Sequence, residues 1–100
     1  MKNGYSIFWT AHALTELKST INYLEENFKH RELNYLSNQL EHTLNLISRN
    51  PELFPQSTLR SSVRKAVVAK FNNLYYQIDG DHITILSFFS NRQDPLTTKI

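Results

Sequence analysis

Two apolar stripes of helical period, separated only by the polar turn Lys29-His30-Arg31-Glu32, constrain this chain more than any other feature. Leu14, Leu17, Ile21, Leu24 and Phe28 recur at alternating steps of three and four, which places them on one side of a helix over residues 11–28. Leu33, Leu36, Leu40, Leu44 and Ile47 repeat the pattern up to Asn50-Pro51, where the proline ring and its missing N–H stop a helix. Helices joined by so short a turn lie nearly antiparallel, and the apolar stripes need a surface to cover them.

The rest of the chain has the period of a sheet. Tyr5-Ser6-Ile7-Phe8-Trp9 is rich in aromatic and β-branched residues and runs straight into Thr10, a good helix N-cap, so it reads as a strand feeding the first helix. Val63 to Phe71, Leu74 to Asp79 and Ile83 to Phe89 are β-rich runs, separated by Asn72-Asn73 and by Asp79-Gly80-Asp81, both good tight-turn sequences. Residues 52–61 form a connecting loop in which Leu53 and Phe54 can plug the end of the hairpin. The order β-α-α-β-β-β predicts one α+β domain over residues 1–100, a helical hairpin packed on a small antiparallel sheet. Leu74, Tyr76 and Ile78 share the strand face expected to meet the helices, and Tyr75, Gln77 and Asp79 share the other.

Charge narrows the function. The chain of 100 residues carries a net charge of +2, and the excess is not spread evenly. No acid lies between Glu52 and Asp79, whereas Arg60, Arg64, Lys65 and Lys70 fall within that stretch. Such a run suits an anionic partner, and it equally suits a solvated sheet edge kept from aggregating by cations. If Ala66 and Val68 face the helices, Lys65 joins Tyr75 and Gln77 on the open face, a mixture of cation and aromatic ring able to hold phosphates and stack bases. Arg92, in the closing Arg92-Gln93-Asp94-Pro95, can clamp a phosphate or pair with Asp94.

Several chemistries are excluded. The chain has no cysteine, so thiol catalysis, disulfide frameworks and zinc-ribbon sites are ruled out. It has no phosphate loop and no nucleophile elbow, and its histidines at positions 12, 30, 42 and 82 lack metal-ligand spacing. No metal and no cofactor is expected. The apolar runs are far too short to span a bilayer and no apolar signal region opens the chain, so a cytoplasmic protein is expected.

Taken together, the initial strand, Glu26-Asn27-Phe28 at the hairpin bend, Asn50-Pro51-Glu52-Leu53, Val63-Arg64-Lys65, Leu74-Tyr75-Tyr76-Gln77-Ile78, Ile83-Thr84-Ile85-Leu86 and Arg92-Gln93-Asp94-Pro95 resemble the RelE/ParE superfamily of bacterial toxins over nearly the whole chain. The resemblance implies the growth-inhibiting toxin of a type II toxin–antitoxin pair, often a plasmid stabilisation system, neutralised by a cognate antitoxin through which operator DNA is also bound. Members similar to RelE cut messenger RNA on the ribosome with basic side chains on the open sheet face. Arg64, Lys65, Lys70 and Arg92 are the residues such an endoribonuclease would use here. The match is incomplete, because Ala66 and Asn73 stand where further cations are expected and no tyrosine follows Arg92. Members similar to ParE keep the fold without that set and bind DNA gyrase. The depleted set favours this branch, with Arg60, Arg64, Lys65, Lys70, Tyr75 and Arg92 as target-binding residues, and the ribosomal nuclease as the alternative. A third possibility is a non-toxic basic module that binds nucleic acid or an acidic protein.

Overall fold

A computed structural model describes residues 4–58 and 60–90. The elements follow the expected order: β1 (Ser6–Trp9), α1 (Ala11–Asn27), α2 (His30–Arg49), β2 (Arg64–Val68), β3 (Asn72–Asp79) and β4 (His82–Ser90). They form an α+β fold in which a four-stranded sheet, ordered β1-β4-β3-β2, is covered on one face by the two helices. The strands β2, β3 and β4 make the expected antiparallel meander. The first strand adds to it in parallel, beside β4, so the complete sheet is mixed. A parallel neighbour is what the connection allows, because β1 reaches β4 only through the helical hairpin and the meander.

The β2–β3 turn differs from expectation. Asn72 and Asn73 belong to β3, and the turn is Ala69-Lys70-Phe71. Ala69 and Lys70 both have positive φ, at 52° and 71°, a conformation that L side chains adopt with strain. Buried Asn72 holds the turn shut: its Nδ2 donates to the Val68 carbonyl at 2.9 Å. The asparagine thus closes the turn from inside the strand rather than forming its tip. At the β3–β4 connection Gly80, with φ +62°, supplies the left-handed residue as expected.

The core lies between the sheet's inner face and the helices. Ala66 and Val68 of β2, Leu74 and Tyr76 of β3, and Ile83, Ile85 and Phe88 of β4 are buried there, as the alternation of β3 implies. The valine, leucine, isoleucine and phenylalanine side chains among these each contribute about 1.5–3 kcal/mol on burial. From α2, Leu36 and Ile47 are buried and Leu33, Leu40 and Leu44 pack against them. The α1 stripe is rotated from the expected one: Ala13, Thr20 and Leu24 are buried, while Leu14 is half exposed. Phe54 packs on the core but Leu53 is exposed, so only one of the two expected plugs is used.

The rotation of α1 has a polar cause. β1 is four residues long and β4 is nine, so β4 continues past its neighbour. Past the end of β1 the β4 edge is completed by backbone and side-chain groups of the Thr10–Glu16 segment. Thr10 donates its backbone N–H to the Ile85 carbonyl at 3.1 Å and its hydroxyl to the same oxygen at 3.0 Å. Its hydroxyl oxygen also caps α1 by accepting from Ala13 N–H. One turn later, Glu16 Oε1 accepts the Phe88 N–H at 2.9 Å and the Ser87 hydroxyl at 2.7 Å. Ser87 stands next to Leu86, an extra residue left unpaired between the Ile85–Tyr76 and Ser87–Tyr75 pairs, and this bulge turns the edge toward Glu16. Replacing Glu16 with alanine orphans these donors and should lower unfolding stability by about 2 kcal/mol. Glu16→Gln keeps an acceptor oxygen and should recover more than half of that loss in urea denaturation. An unchanged midpoint for Glu16→Ala would show that the carboxylate does not hold the edge.

Candidate functional site

Because the helices cover one face of the sheet, the other face is the surface on which strand side chains meet solvent. Lys65 is paired directly with Tyr75, and Tyr75 with Ser87. The Lys65 N–H points away from β3, to the Pro55 carbonyl at 3.0 Å, which makes Lys65–Tyr75 a pair without ladder hydrogen bonds and brings the two side chains close. Ser57 N–H donates to the Val63 carbonyl, so the loop 55–57 runs alongside the start of β2. Between loop and strand lies a groove lined by Phe54, Gln56, Thr58, Lys65, Val67 and Tyr75. Val67 is 56% exposed.

The basic run is divided among different surroundings. Arg64 is half buried and its Nη1 donates to the Phe54 carbonyl at 2.7 Å, with the Glu52 carbonyl at 3.4 Å. Its partner across the ladder, Tyr76, is fully buried and donates its hydroxyl to the Pro51 carbonyl at 2.6 Å. Together they clasp the loop that leaves α2. Lys65 faces the open side. Arg60 is exposed in the loop before β2, and Lys70 is in the β2–β3 turn beside a different hollow that also contains Glu32. The structure therefore joins Lys65 to Tyr75 and separates Arg64 and Lys70 from them. Arg92 lies outside the described residues.

The far end of the open face carries a polar network that no sequence motif marks. Asp79 accepts the Thr84 hydroxyl at 2.7 Å and the Gln77 amide at 3.1 and 3.2 Å. Strand alternation puts Gln77 and Asp79 on the Tyr75 face, but only the pairing of Gln77 with Thr84 brings the hydroxyl to the carboxylate. His82 is paired with Asp79 and meets Phe8 edge to face, with ring centroids 5.2 Å apart. Among the described residues no group of three or more histidine, aspartate or glutamate side chains could hold a metal. None of the helices there is long and apolar enough to cross a membrane.

Titration distinguishes Tyr76, on the covered face of the sheet, from Asp79, on the open one. Burial pushes the Tyr76 hydroxyl above its ordinary 10.0, against the opposing effects of Arg64 and a backbone hydrogen bond. Tyr76 thus contributes stability that is complete below 10.0 and is lost as pH rises past it. Tyr76→Phe should cost about 1–2 kcal/mol at neutral pH. Its stability curve should also fall less steeply on alkaline titration than that of the wild type. The Thr84 hydroxyl, then the Gln77 amide and neighbouring His82, hold the Asp79 carboxyl below its ordinary 3.8. That contribution is complete above 3.8 and disappears as pH falls through the lowered value. Carbon-detected NMR titration should find the Asp79 carboxyl titrating higher in Thr84→Val. An unmoved titration would remove the hydroxyl as the cause.

No protein-family model and no curated protein matches the chain. Solved structures do. A chain from the chromosomal ParDE toxin–antitoxin system of P. aeruginosa superposes with a TM-score of 0.72 at 12% identity, covering 89% of this chain and 98% of that one. The YoeB dimer from Staphylococcus aureus gives a TM-score of 0.56 at 19% identity, over 83% of this chain and 92% of that one. The E. coli DinJ-YafQ toxin–antitoxin complex gives 0.52 at 15% identity, over 88% and 93%. With its two helices on one face of a β1-β4-β3-β2 sheet, and with this likeness covering 92–98% of those chains, this protein has the fold of the RelE/ParE-type toxins.

Proposed function

We propose that this protein is the toxin of a type II toxin–antitoxin pair, of the kind that stabilises plasmids, and that it arrests growth in the cytoplasm by binding a target such as DNA gyrase. A cognate antitoxin neutralises it. The fold shared with toxins and toxin–antitoxin complexes supports the general reading. The observation that carries the choice of target is the engagement of Arg64. Its guanidinium is spent on the carbonyls of Phe54 and Glu52, so Arg64 serves the scaffold. Lys65 and Tyr75 face the open side beside exposed Val67, with no second strand cation at their side among the described residues. One cation among apolar and aromatic groups suits recognition of a protein surface; phosphoryl chemistry needs several charges converging where charge develops. Arg60, exposed in the loop before β2, extends the target-binding surface, whereas Lys70 lies on the hairpin side.

Induced alone, the protein should stop growth and raise the DNA-damage response while messenger RNA remains intact, and the purified protein should inhibit gyrase supercoiling. Lys65→Glu combined with Tyr75→Ala should weaken that inhibition about tenfold or more, since residues at the centre of an interface carry most of its energy. Codon-position cleavage of messenger RNA on translating ribosomes, lost in Arg64→Ala and Arg92→Ala, would establish the nuclease instead. Unaffected growth would favour the basic binding module over both.

A further inference from the structure

The rotation of α1 leaves an apolar stripe that the core does not use. Leu14, Lys18, Ile21 and Glu25 follow one another at steps of four, three and four, so they line one side of the helix. Leu14 is 49% exposed, and half-buried Ile21 stays outside the cluster that takes Ala13 and Leu24. A shallow hollow runs along Leu14, Thr15, Leu17, Lys18 and Ile21. A second hollow, at the hairpin bend where α1 ends, is lined by Glu25, Phe28 and Leu33, with Lys29, His30 and Arg31 around it. One helical turn, from Ile21 to Glu25, separates the two.

Charge indicates what covers the stripe. Lys18 and Glu25 are both exposed and stand seven residues apart, about 10.5 Å along the helix axis. That spacing is too wide for them to pair within one helix. Among the described residues the ion-pair contacts involve only His12 with Glu16 and His82 with Asp81. A twofold axis midway between Lys18 and Glu25, beside Ile21, answers both charges at once. In an antiparallel second copy of α1, each Lys18 faces the other copy's Glu25 and the two Ile21 side chains meet. Leu14 lies as far from that axis as Phe28-Lys29 does on its other side, so it falls at the other copy's bend hollow. The stripe is thus complementary to itself in charge and in apolar surface. We infer that α1 is the interface of a twofold-symmetric homodimer, in which two copies of this chain join through antiparallel helices. The open sheet face, on the opposite side of the sheet from α1, stays free in both copies. One helix stripe and one bend from each copy make a contact below about 1,200 Å², so the dimer is weak and concentration-dependent.

Sedimentation velocity of the full chain from about 5 to 500 µM is the test, with a reversible monomer–dimer equilibrium of Kd about 10–100 µM expected. Lys18→Glu and Glu25→Lys, each at an exposed position, put like charges across the axis twice and should each weaken the dimer about tenfold or more. Mixed in equal amounts, these two variants should recover a dimer, because every pair across the axis is then opposite in charge. Leu14→Ser should weaken association about tenfold with both charges in place. A chain monomeric at the highest concentration, a dimer indifferent to both charge reversals, or an equal mixture no more associated than its components would overturn the inference. Growth arrest and gyrase inhibition are separate readouts, so failure of the dimer leaves the toxin reading standing, and the reverse.

Discussion

The sheet depends on how the β4 edge is finished beyond β1. A strand that outruns its neighbour exposes a row of backbone groups, and buried backbone donors left unpaired cost as much as a lost hydrogen bond. Here that row meets the start of α1: Thr10 bonds the Ile85 carbonyl and Glu16 takes the Phe88 N–H. Through the same hydroxyl Thr10 also caps the helix, so one residue ties the strand edge to the beginning of α1. These contacts set the rotation of α1, which buries Ala13, Thr20 and Leu24 and leaves Leu14 half exposed. At the C-terminal end of α2, Ser48 and Tyr5 exchange hydrogen bonds, Tyr5 N–H to the Ser48 carbonyl and Ser48 hydroxyl to the Tyr5 carbonyl, both at 2.9 Å. Gly4 belongs to this junction, because a Cβ there would collide with Ser48 Oγ.

With the hairpin fixed, the sheet has one covered and one open face, and charge sorts accordingly. Arg64 and Lys65 are neighbours in sequence, yet strand alternation sends them to opposite faces. The inward one reaches over Tyr76 to the loop carbonyls, where a guanidinium's several donors find acceptors without leaving the charge dry. The outward one shares a cross-strand pair with Tyr75. Lys70 is carried around the turn to the hairpin side. A basic cluster along the chain thus becomes three separate surfaces, and this division bears most directly on what the protein can bind.

The helices, the stop at Pro51 and the three β-rich runs were legible because each follows from local periodicity or from a residue with a backbone preference of its own, whereas the turn expected at Lys29-His30-Arg31-Glu32 shrinks to Phe28-Lys29, because His30 already begins α2. The inward face of β3 was legible for the same reason. The turn at Ala69-Lys70-Phe71 was not, because Asn72-Asn73 is the better local turn sequence and only the buried bond from Asn72 to Val68 reverses that preference. Nor was the groove beside Lys65, since it needs the 55–57 loop to return along β2. Glu16 looked like one more polar residue on a helix, its partners lying more than seventy positions away.

The order of elements, the amphipathic hairpin, the inward strand face of Leu74, Tyr76 and Ile78 and the concentration of positive charge are all set by residues within a few positions of one another, and so were written in the sequence. The tertiary structure alone decided the parallel docking of β1, the rotation of α1 and which cation faces outward. The physical reason is that these depend on satisfying specific backbone donors and acceptors across the fold. Such pairings carry no periodic signature and exist only once the strand edges and loop ends have been brought together.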